Sequence, residues 1–338
     1  MKLLIIRFSS FGDIILTTPV LAALKAKYPS ATIDFLVMDK FADAIRGNPN
    51  IDHLLLFEKK KYQGLVGIAR FARRLRKYHY DQVIDLHAKL RSIILSYWIG
   101  VPVFRYRKRR LLKTIGVKLR LMRYQVDDTI VNNYFGALKH LEISTAYENL
   151  RFDYSREDST KISGYTNFVV LAPGAARVTK KWPKEYFAQL GQLLKEKIII
   201  VGGPEDMDSG EKICRQIGSR CHNLAGKLSL KQSGALIARA KFLVCNDSGP
   251  FHIARGVGTK AFVFFGPTDP GMFSYDQKAI LIYADLPCSP CSLHGDPKCP
   301  LGHFNCMRQL TPEKVIQIIL SNLFNGCSSA GTDQYKNI

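Results

Sequence analysis

The chain alternates short apolar segments with segments of helical periodicity, and this alternation occurs twice. The strand-like runs of the first series lie at residues 2–8, 32–38, 51–57 and 82–86. A second series starts at residue 168, after a polar stretch at residues 154–166. Consecutive apolar strands joined by helices are typical of parallel sheets that are covered on both faces. The sequence therefore predicts an α/β protein with two doubly wound domains that face each other across a cleft.

A length of 338 residues accommodates two such domains, each with its own core. We place them at residues 1–160 and 161–326, followed by a polar tail at residues 327–338 that we expect to be disordered. The chain has no apolar run of about eighteen residues or more, as a membrane span requires. The apolar run before Arg7 is also too short for the core of a signal peptide. These features favour a cytoplasmic protein.

Positive charge is abundant and unevenly distributed. Lys and Arg number 49 against 28 Asp and Glu, for a net charge of +21, with nine positive residues within 105–123 and eight within 59–77. Such clusters attract nucleic acid, anionic lipid headgroups or phosphorylated sugars, although a solvated basic surface is the alternative. The second cluster overlaps a predicted helix at residues 63–77. The buried face of that helix is expected to contain Leu65, Ile68, Ala72 and Leu75.

Parallel α/β sheets bind ligands at the carboxyl ends of their strands, so the loops that follow strands are the places to search for chemistry. The first strand is followed by Ser9-Ser10-Phe11-Gly12-Asp13. Gly12 permits a tight turn, and the carboxylate of Asp13 is placed to act as a general base. A helix is expected to begin between Asp13 and Pro19, and Asp13 is equally suited to be its N-cap.

A basic motif follows the fourth predicted strand. It runs from Asp85 to Ser92 and includes Arg91. Together with Ser10 and Gly12 of the first loop and with Arg105, Arg91 is predicted to bind an anionic acceptor. A solvated basic helix turn is the alternative interpretation of this motif.

Small residues and lysines follow the first strand of the second series. Pro173-Gly174-Ala175-Ala176 lets a ligand approach the backbone closely, and Lys180 lies a few residues further on. Gly174 and Lys180 together suit a diphosphate, with the lysine acting as a point charge. Solvent-exposed lysines beside a core Trp182 are the alternative. In the next loop, Asp206 is placed either to accept hydrogen bonds from ribose hydroxyls or to favour the positive end of its own helix.

Residues 245–252 read Cys-Asn-Asp-Ser-Gly-Pro-Phe-His and join a strand to a helix. The first backbone N–H groups of a helix have no partner within it, and with the helix dipole they attract anions. The backbone N–H groups near residues 248–251 are therefore predicted to form an anion site. Asp247 or Ser248 can also cap the helix, and the two roles are compatible.

Four of the eight cysteines lie close together in the sequence, at Cys288, Cys291, Cys299 and Cys306. A Cys-x-x-Cys pair is half of a zinc site, and two histidines lie nearby. The six residues between the last two cysteines depart from the usual close pair. Free thiols are therefore favoured, and we predict neither a metal nor a cofactor.

Taken together and in this order, these motifs resemble the ADP-heptose–lipopolysaccharide heptosyltransferase family, glycosyltransferase family nine. The resemblance extends from Ile5 to about Val315 and also includes Asn223-Leu224-Ala225-Gly226. The cysteine-rich stretch is similar to that of the branch that adds the second heptose. No G-x-G-x-x-G motif is present, so a nicotinamide-binding turn is not indicated.

The resemblance implies a GT-B fold, with an acceptor-binding domain first and a nucleotide-sugar domain second. It implies inverting, metal-independent transfer of heptose from ADP-L-glycero-D-manno-heptose to the Kdo/heptose inner core of lipopolysaccharide. Asp13 matches the family's catalytic base, and Lys180 matches the lysine that holds the donor phosphate. Asp247, Ser248 and Gly249 match its diphosphate loop.

Two further donor contacts and the partners follow from the same resemblance. Asp206 stands where the family usually has a glutamate that contacts ribose, and adenine is expected near residues 224–227, which include Gly226. The expected partners are ADP-heptose, a phosphorylated acceptor of the Kdo–lipid A type and the inner face of the cytoplasmic membrane, where the enzyme is peripheral. We expect a monomer that binds no nucleic acid.

Two other functions are compatible with parts of the sequence. A related GT-B transferase with another nucleotide sugar, such as a UDP-hexose, would use the same diphosphate motifs. A basic nucleic-acid-binding protein would explain the net charge, but the basic runs lack the interleaved aromatic residues of single-strand binders.

Overall fold

The computed structural model describes residues 1–106, 128–143, 149–273, 276–324 and 335–337. These residues form two compact units, the first containing the described residues up to Asp153 and the second those from Tyr154 onward. The boundary lies close to the predicted domain boundary at 160/161. Within the described residues, no helix has both the length and the apolar character needed to cross a bilayer.

The first unit contains a five-stranded parallel sheet with the strand order β3-β2-β1-β4-β5. The strands are β1 (Lys2–Ile6), β2 (Thr32–Met38), β3 (His53–Phe57), β4 (Gln82–Asp85) and β5 (Val103–Arg105). The helices are α1 (Phe11–Ile15), α2 (Thr18–Lys27), α3 (Gly64–Arg76), α4 (Leu90–Ile99) and α5 (Ile130–Phe135), with 3₁₀ turns at Asp39–Ala44 and Gly136–Leu141. The chain moves outward from β1 to β3 and then returns to β4 on the other side of β1. The topological switch point, where such sheets bind ligands, therefore lies between β1 and β4.

The composition of β1 suits its central position in the parallel sheet. Residues 3–6 of β1 are completely buried and wholly aliphatic, as a strand covered on both faces requires. Helices α3 and α4 contribute to one apolar cluster with β1 and β3 through residues such as Phe71 and Leu95. The helix after β1 begins at Phe11, earlier than the predicted start between Asp13 and Pro19.

The predicted inner face of α3 needs one correction. Ile68, Ala72 and Leu75 are buried as predicted, but Leu65 is exposed. The physical reason lies in the preceding loop, where Tyr62 is buried in the core and its backbone packs directly against Gly67. This packing fills the space beneath the first turn of α3 and leaves Leu65 outside.

The second unit contains a seven-stranded parallel sheet with the order β12-β11-β10-β9-β6-β7-β8. The strands are β6 (Phe168–Ala172), β7 (Lys197–Ile200), β8 (Cys221–Asn223), β9 (Leu243–Asn246), β10 (Ala261–Phe265), β11 (Ala279–Tyr283) and β12 (Tyr335–Asn337). The helices are α6 (Arg156–Thr160), α7 (Lys184–Leu193), α8 (Met207–Ile217), α9 (Leu230–Arg239), α10 (Gly249–Val257), α11 (Asn305–Arg308) and α12 (Pro312–Phe324). Turns of 3₁₀ helix occupy Val178–Lys180, Pro204–Asp206 and Pro270–Met272. Here the switch point lies between β6 and β9.

Two stretches named in the sequence analysis fall mainly outside the described residues. The basic cluster at residues 105–123 is described only as far as Tyr106. The tail predicted to be disordered is described only at Tyr335–Asn337, which pair with β11 as β12.

Candidate active site

The loop after β1 places Asp13 at the start of a short helix. Asp13 is the third residue of α1, and Ser10 is the N-cap, so the alternative that Asp13 itself caps the helix is wrong. The Asp13 carboxylate accepts hydrogen bonds from the Ser10 amide at 3.3 Å and from the Ser10 hydroxyl at 2.8 Å. A carboxylate that reaches back to the N-cap in this way stabilises the first turn and has a fixed orientation.

Asp13 also forms an ion pair with Arg7, a residue that the sequence analysis did not select. Arg7 Nη2 lies 2.8 Å from Asp13 Oδ2. The arginine is held by donating from Nε to the Ser9 carbonyl and from Nη1 to the Leu86 carbonyl. Burial raises the pKa of Asp13, but the charge of Arg7 and the hydrogen bonds from Ser10 outweigh it and hold that pKa well below its usual range. Asp13 is therefore ionised throughout the neutral range.

The loop after β4 is organised around a buried carboxylate. Asp85 accepts hydrogen bonds from the amides of His87 and Ala88, and it pairs with Arg105 at 2.8 Å. Arg105 also donates to the Ser96 hydroxyl at 2.8 Å. The guanidinium of Arg105 thus already has two protein partners, Asp85 and Ser96. Contact between Arg105 and an acceptor remains a prediction.

The other predicted acceptor residues lie near the switch point of the first sheet. Ser10 is exposed, Gly12 is half-buried, and the half-buried Arg91 has its guanidinium carbon 5.9 Å from the centre of the Phe57 ring. Ser10 and Gly12 follow β1, whereas Arg91 follows β4. These three residues therefore flank the switch point from both strands.

In the second unit, Lys180 and Asp247 form an ion pair in which Lys180 Nζ lies 2.5 Å from Asp247 Oδ2. The hydroxyl of Thr268, a residue that the sequence analysis did not select, also donates to Asp247 Oδ2 at 2.9 Å. Ser248 is the N-cap of α10, but its hydroxyl donates to the Asn246 carbonyl instead of capping the helix through its side chain. Ser248 thus occupies the N-cap position, as the capping alternative predicted, but without a capping hydrogen bond to its side chain. The helix α10 begins at Gly249, two residues after Asp247.

Asn246 joins the loops after β6 and β9. Its side chain accepts a hydrogen bond from the Trp182 amide at 2.9 Å and donates to the Pro173 carbonyl at 2.7 Å. The Trp182 ring is buried, and its Nε1 donates to the Leu310 carbonyl. Trp182 is therefore a core residue, and it anchors the loop that carries Lys180.

Gly174 and Asp206 are in direct contact across the ends of β6 and β7. A Cβ atom at Gly174 would collide with the Asp206 carboxylate. Asp206 is buried and accepts a hydrogen bond from the Gly203 amide at 3.1 Å. Burial raises the pKa of Asp206, and this effect outweighs the hydrogen bond from Gly203 and the charge of Lys181, which lower it.

Gly226 brings the loop after β8 against the loop after β7. Its φ angle is +71°, and its amide donates to the Gly202 carbonyl at 3.0 Å. A Cβ atom at this position would lie 2.7 Å from the Met207 side chain and 3.1 Å from Pro204 Cα. The position therefore favours glycine on two independent grounds.

The cysteine-rich stretch supports the Lys180 loop. Thr179 Oγ1 donates to the Asp296 carbonyl at 2.9 Å and accepts from the Asp296 amide at 2.7 Å. A Cβ atom at Gly295 would lie 2.7 Å from Lys180 Cγ. The position of the lysine therefore depends on a segment more than a hundred residues away in sequence.

The thiols of this stretch are free in the described structure. Cys288 Sγ lies 3.9 Å from His303 Nε2, and the described residues contain no group of three or more His, Cys, Asp or Glu arranged to hold a metal. Elsewhere in the unit, Cys214 and Cys221 form a disulfide that the sequence analysis did not anticipate.

Comparison with known proteins shows the family to which the chain belongs. The model of glycosyltransferase family 9 (heptosyltransferase) matches residues 68–300, which is more than half of the chain. The matched segment contains all the predicted donor-binding residues and begins after Asp13.

The chain is 25% identical over 305 residues to lipopolysaccharide heptosyltransferase 1 of Pseudomonas aeruginosa, with 86% of each chain covered. Its fold is similar to that of a family 9 glycosyl transferase from Veillonella parvula, with a TM-score of 0.81, 23% identity and coverage of 96% and 98%. It is also similar to that of the Escherichia coli ADP-heptose lps heptosyltransferase II, with a TM-score of 0.75, 21% identity and coverage of 97% and 100%. The predicted GT-B class and the enzyme interpretation are thus confirmed. The chain belongs to glycosyltransferase family 9, the heptosyltransferases.

Proposed function

We propose that this enzyme transfers heptose from ADP-heptose to the inner core of lipopolysaccharide, with inversion at the transferred carbon. The observation that supports this proposal is which partner of each ion pair is more exposed: the carboxylate in the first unit and the lysine in the second. In the first unit Arg7 is 6% exposed and Asp13 is 34% exposed, whereas in the second unit Asp247 is 4% exposed and Lys180 is 15% exposed. The first sheet thus presents an anion and the second presents a cation. Inverting transfer needs a base for the acceptor and a positive charge for the leaving diphosphate.

Asp13 is the proposed base. In a single displacement the acceptor hydroxyl oxygen bonds to the anomeric carbon while the bond from that carbon to the diphosphate breaks. The hydroxyl proton passes to Asp13, and ADP leaves with the electron pair of the broken bond. A carboxylate with a depressed pKa is a weak base toward a sugar hydroxyl. Proton transfer must therefore accompany bond formation, because the hydroxyl becomes acidic only as the oxygen gives up charge.

Lys180 and the N-terminus of α10 are the proposed partners of the leaving diphosphate. Negative charge grows on this group as the bond breaks, and a preorganised cation and backbone N–H groups stabilise it. Removing one such contact typically costs about 3–4 kcal/mol in the barrier. Asp247 holds the lysine in position before the donor arrives, and the hydroxyl of Thr268 donates to the same carboxylate.

The remaining donor contacts are assigned by position. Asp206 lies in the loop after β7, and we place the ribose beside it. Gly226 lies in the loop after β8, and we place the adenine there. Because Asp206 is shorter than the glutamate of the family and accepts from Gly203, the ribose must approach the backbone closely to reach it. Gly174 leaves room for that carboxylate.

The acceptor and the location complete the proposal. The first unit would bind a phosphorylated acceptor of the Kdo–lipid A type through Ser10, Gly12 and Arg91. An acceptor of this kind is anchored in a bilayer, so the enzyme would act peripherally at the inner face of the cytoplasmic membrane. The cysteine-rich stretch favours an acceptor that already carries one heptose, and the reaction would proceed in the presence of EDTA.

Calorimetric titration with ADP and with UDP, both in EDTA, tests the donor site. We expect ADP to bind more tightly, and we expect Lys180→Ala to weaken ADP binding by about 10- to 100-fold, because a charge-assisted contact contributes about 1.5–3 kcal/mol. Lys184→Ala is the matched control, since Lys184 is an exposed lysine on α7. Preference for UDP would favour the UDP-hexose alternative, and failure to bind either nucleotide would contradict the proposal.

The transfer assay tests the base. Asp13→Asn should lose turnover with ADP-heptose while its calorimetric affinity for ADP is retained. Comparing acceptors with and without the first heptose then identifies the position at which heptose is added. Near-normal turnover of Asp13→Asn would remove Asp13 from the role of base.

A further inference from the structure

Two neighbouring helices of the first unit carry exposed apolar side chains. On α4, Leu90, Ile93 and Tyr97 follow the i, i+3, i+7 spacing of one helix face and are 73%, 38% and 78% exposed. On α3, Leu65 and Val66 are 59% and 74% exposed. Single exposed apolar residues are ordinary on a protein surface, but a group on adjacent elements marks an interaction surface.

The two helices pack side by side and lie on the same face of the sheet. Both contribute to one apolar core cluster, and Arg76 of α3 donates from Nε to the Trp98 carbonyl of α4 at 2.8 Å. Each helix follows a parallel strand, so both begin at the carboxyl edge of the sheet. Leu65 and Leu90, which lie in the first turns of these helices, are therefore at the same edge as Asp13.

Positive charge surrounds these apolar side chains. The stretch from residue 58 to residue 91 contains ten Lys and Arg but only three acidic residues: Glu58, which lies 3.7 Å from the ammonium of Lys61, Asp81 and the buried Asp85. Lys59, Lys60 and Lys61 are exposed in the loop that precedes α3, and Lys89 is exposed immediately before α4. Apolar side chains with a basic rim are the combination that binds the interface of an anionic bilayer.

We propose that this surface docks the enzyme on an anionic lipid bilayer. We call it the α3–α4 surface, and it consists of Lys59, Lys60, Lys61, Leu65, Val66, Lys89, Leu90, Ile93 and Tyr97. The apolar side chains enter the headgroup region while the lysines contact lipid phosphates. Docking in this orientation turns the edge that carries Asp13 toward the bilayer. The functional meaning of this orientation rests on the proposed function, whereas lipid binding by the surface does not.

Co-sedimentation of the full chain with lipid vesicles tests the proposal. The vesicles contain phosphatidylcholine alone or phosphatidylcholine mixed with the anionic phosphatidylglycerol. We expect binding to the mixed vesicles that weakens at high salt, and little binding to the neutral ones. Leu90→Gln combined with Tyr97→Gln should lower the affinity on the order of tenfold, because less apolar area enters the interface. The triple change of Lys59, Lys60 and Lys61 to Gln should lower it by roughly fivefold per charge.

Leu193→Gln is the control, because Leu193 is an exposed leucine at 46% on α7 of the second unit, outside the α3–α4 surface. Thermal melting of each variant shows whether it is folded. Unchanged lipid binding by the Leu90–Tyr97 variant, or equal binding of the parent protein to neutral vesicles, would overturn the proposal. A dimer in lipid-free light scattering that the same variant converts to a monomer would also overturn it, because the surface would then join two copies of the chain.

Heptose transfer to a deacylated, soluble acceptor separates this proposal from the proposed function. The Leu90–Tyr97 variant should retain that transfer while losing lipid binding. Absence of transfer by the parent protein would refute the proposed function and leave the docking result intact.

Discussion

Replacing Arg7 by methionine should change the pH dependence of transfer. Arg7 Nη2 lies 2.8 Å from Asp13 Oδ2, and its charge opposes the burial that raises the pKa of Asp13. An arginine beside an aspartate typically lowers its pKa by about 1–3 units. With the guanidinium removed, burial and the two Ser10 hydrogen bonds remain, so the pKa of Asp13 should rise to near or above the ordinary value of ~4. The pH at which kcat/KM falls in acid should therefore rise into the measurable range.

The same substitution should lower stability in a pH-dependent way. The folded pKa of Asp13 is depressed, so the ion pair stabilises the fold above the unfolded pKa of ~4 and loses this effect as pH falls through the folded pKa. Because the Asp13 carboxylate is about a third exposed, we expect a loss of about 1–3 kcal/mol at pH 7, below the range for fully buried pairs. The loss should shrink in acid.

The assay is kcat/KM against pH for the parent protein, Arg7→Met and the charge-retaining control Arg7→Lys. The lysine variant should keep most of the parent's pH profile, because it retains the positive charge. Its maximal kcat/KM should be lower, because lysine cannot make all the hydrogen bonds of Arg7 to Ser9 and Leu86. An identical acid limb in the methionine variant and the parent would refute the electrostatic role of Arg7.

Two substitutions in the second unit follow from its packing and burial. Gly174→Ala drives a Cβ into the Asp206 carboxylate and should lower stability by about 1–3 kcal/mol in urea unfolding, with weaker ADP binding in calorimetry. Gly164→Ala is its control, since nothing lies within 4 Å of a Cβ there, and equal effects of the two changes would contradict the argument. Asp206→Asn should raise the melting temperature at pH 7. The folded pKa of Asp206 is raised, so the fold loses stability as pH rises through the unfolded pKa toward the folded pKa. The gain should vanish in acid, and an equal gain at pH 4 and pH 7 would argue against it.

The sequence predicted the strands and the loops that follow them because both signals are local. Apolar runs such as residues 168–172 and 261–265 match the observed strands in full. The short strand β8 was missed because its residues, Cys221–Asn223, are not fully buried and form no apolar run. The apolar run at Ala279–Tyr283 is the local signal for β11, which the predicted strands do not include.

The partners of the site residues were not predictable from spacing alone. Arg7 follows an apolar strand, and a lone charge in that position was the available sign of a buried ion pair. Lys180 and Asp247 are far apart in sequence, and Asp85 and Arg105 likewise. Each pair forms because parallel strands bring their carboxyl ends to one edge. Leu65 was misplaced because helical periodicity cannot anticipate the loop that packs beneath the first turn.

In the proposed function, the buried position of Arg7 would let a weakly basic carboxylate serve an anionic acceptor. A phosphorylated acceptor that approaches Asp13 raises the pKa of its carboxyl, because a second negative charge disfavours ionisation. A carboxylate of ordinary pKa could take up a proton at this moment and lose its function as a base. Asp13 starts from a pKa well below that range, so the same rise makes it more basic while it stays ionised at neutral pH. Because the Arg7 side chain is only 6% exposed, a bound acceptor or a solvent ion would have little access to it, and the pKa of Asp13 would stay depressed in the proposed complex.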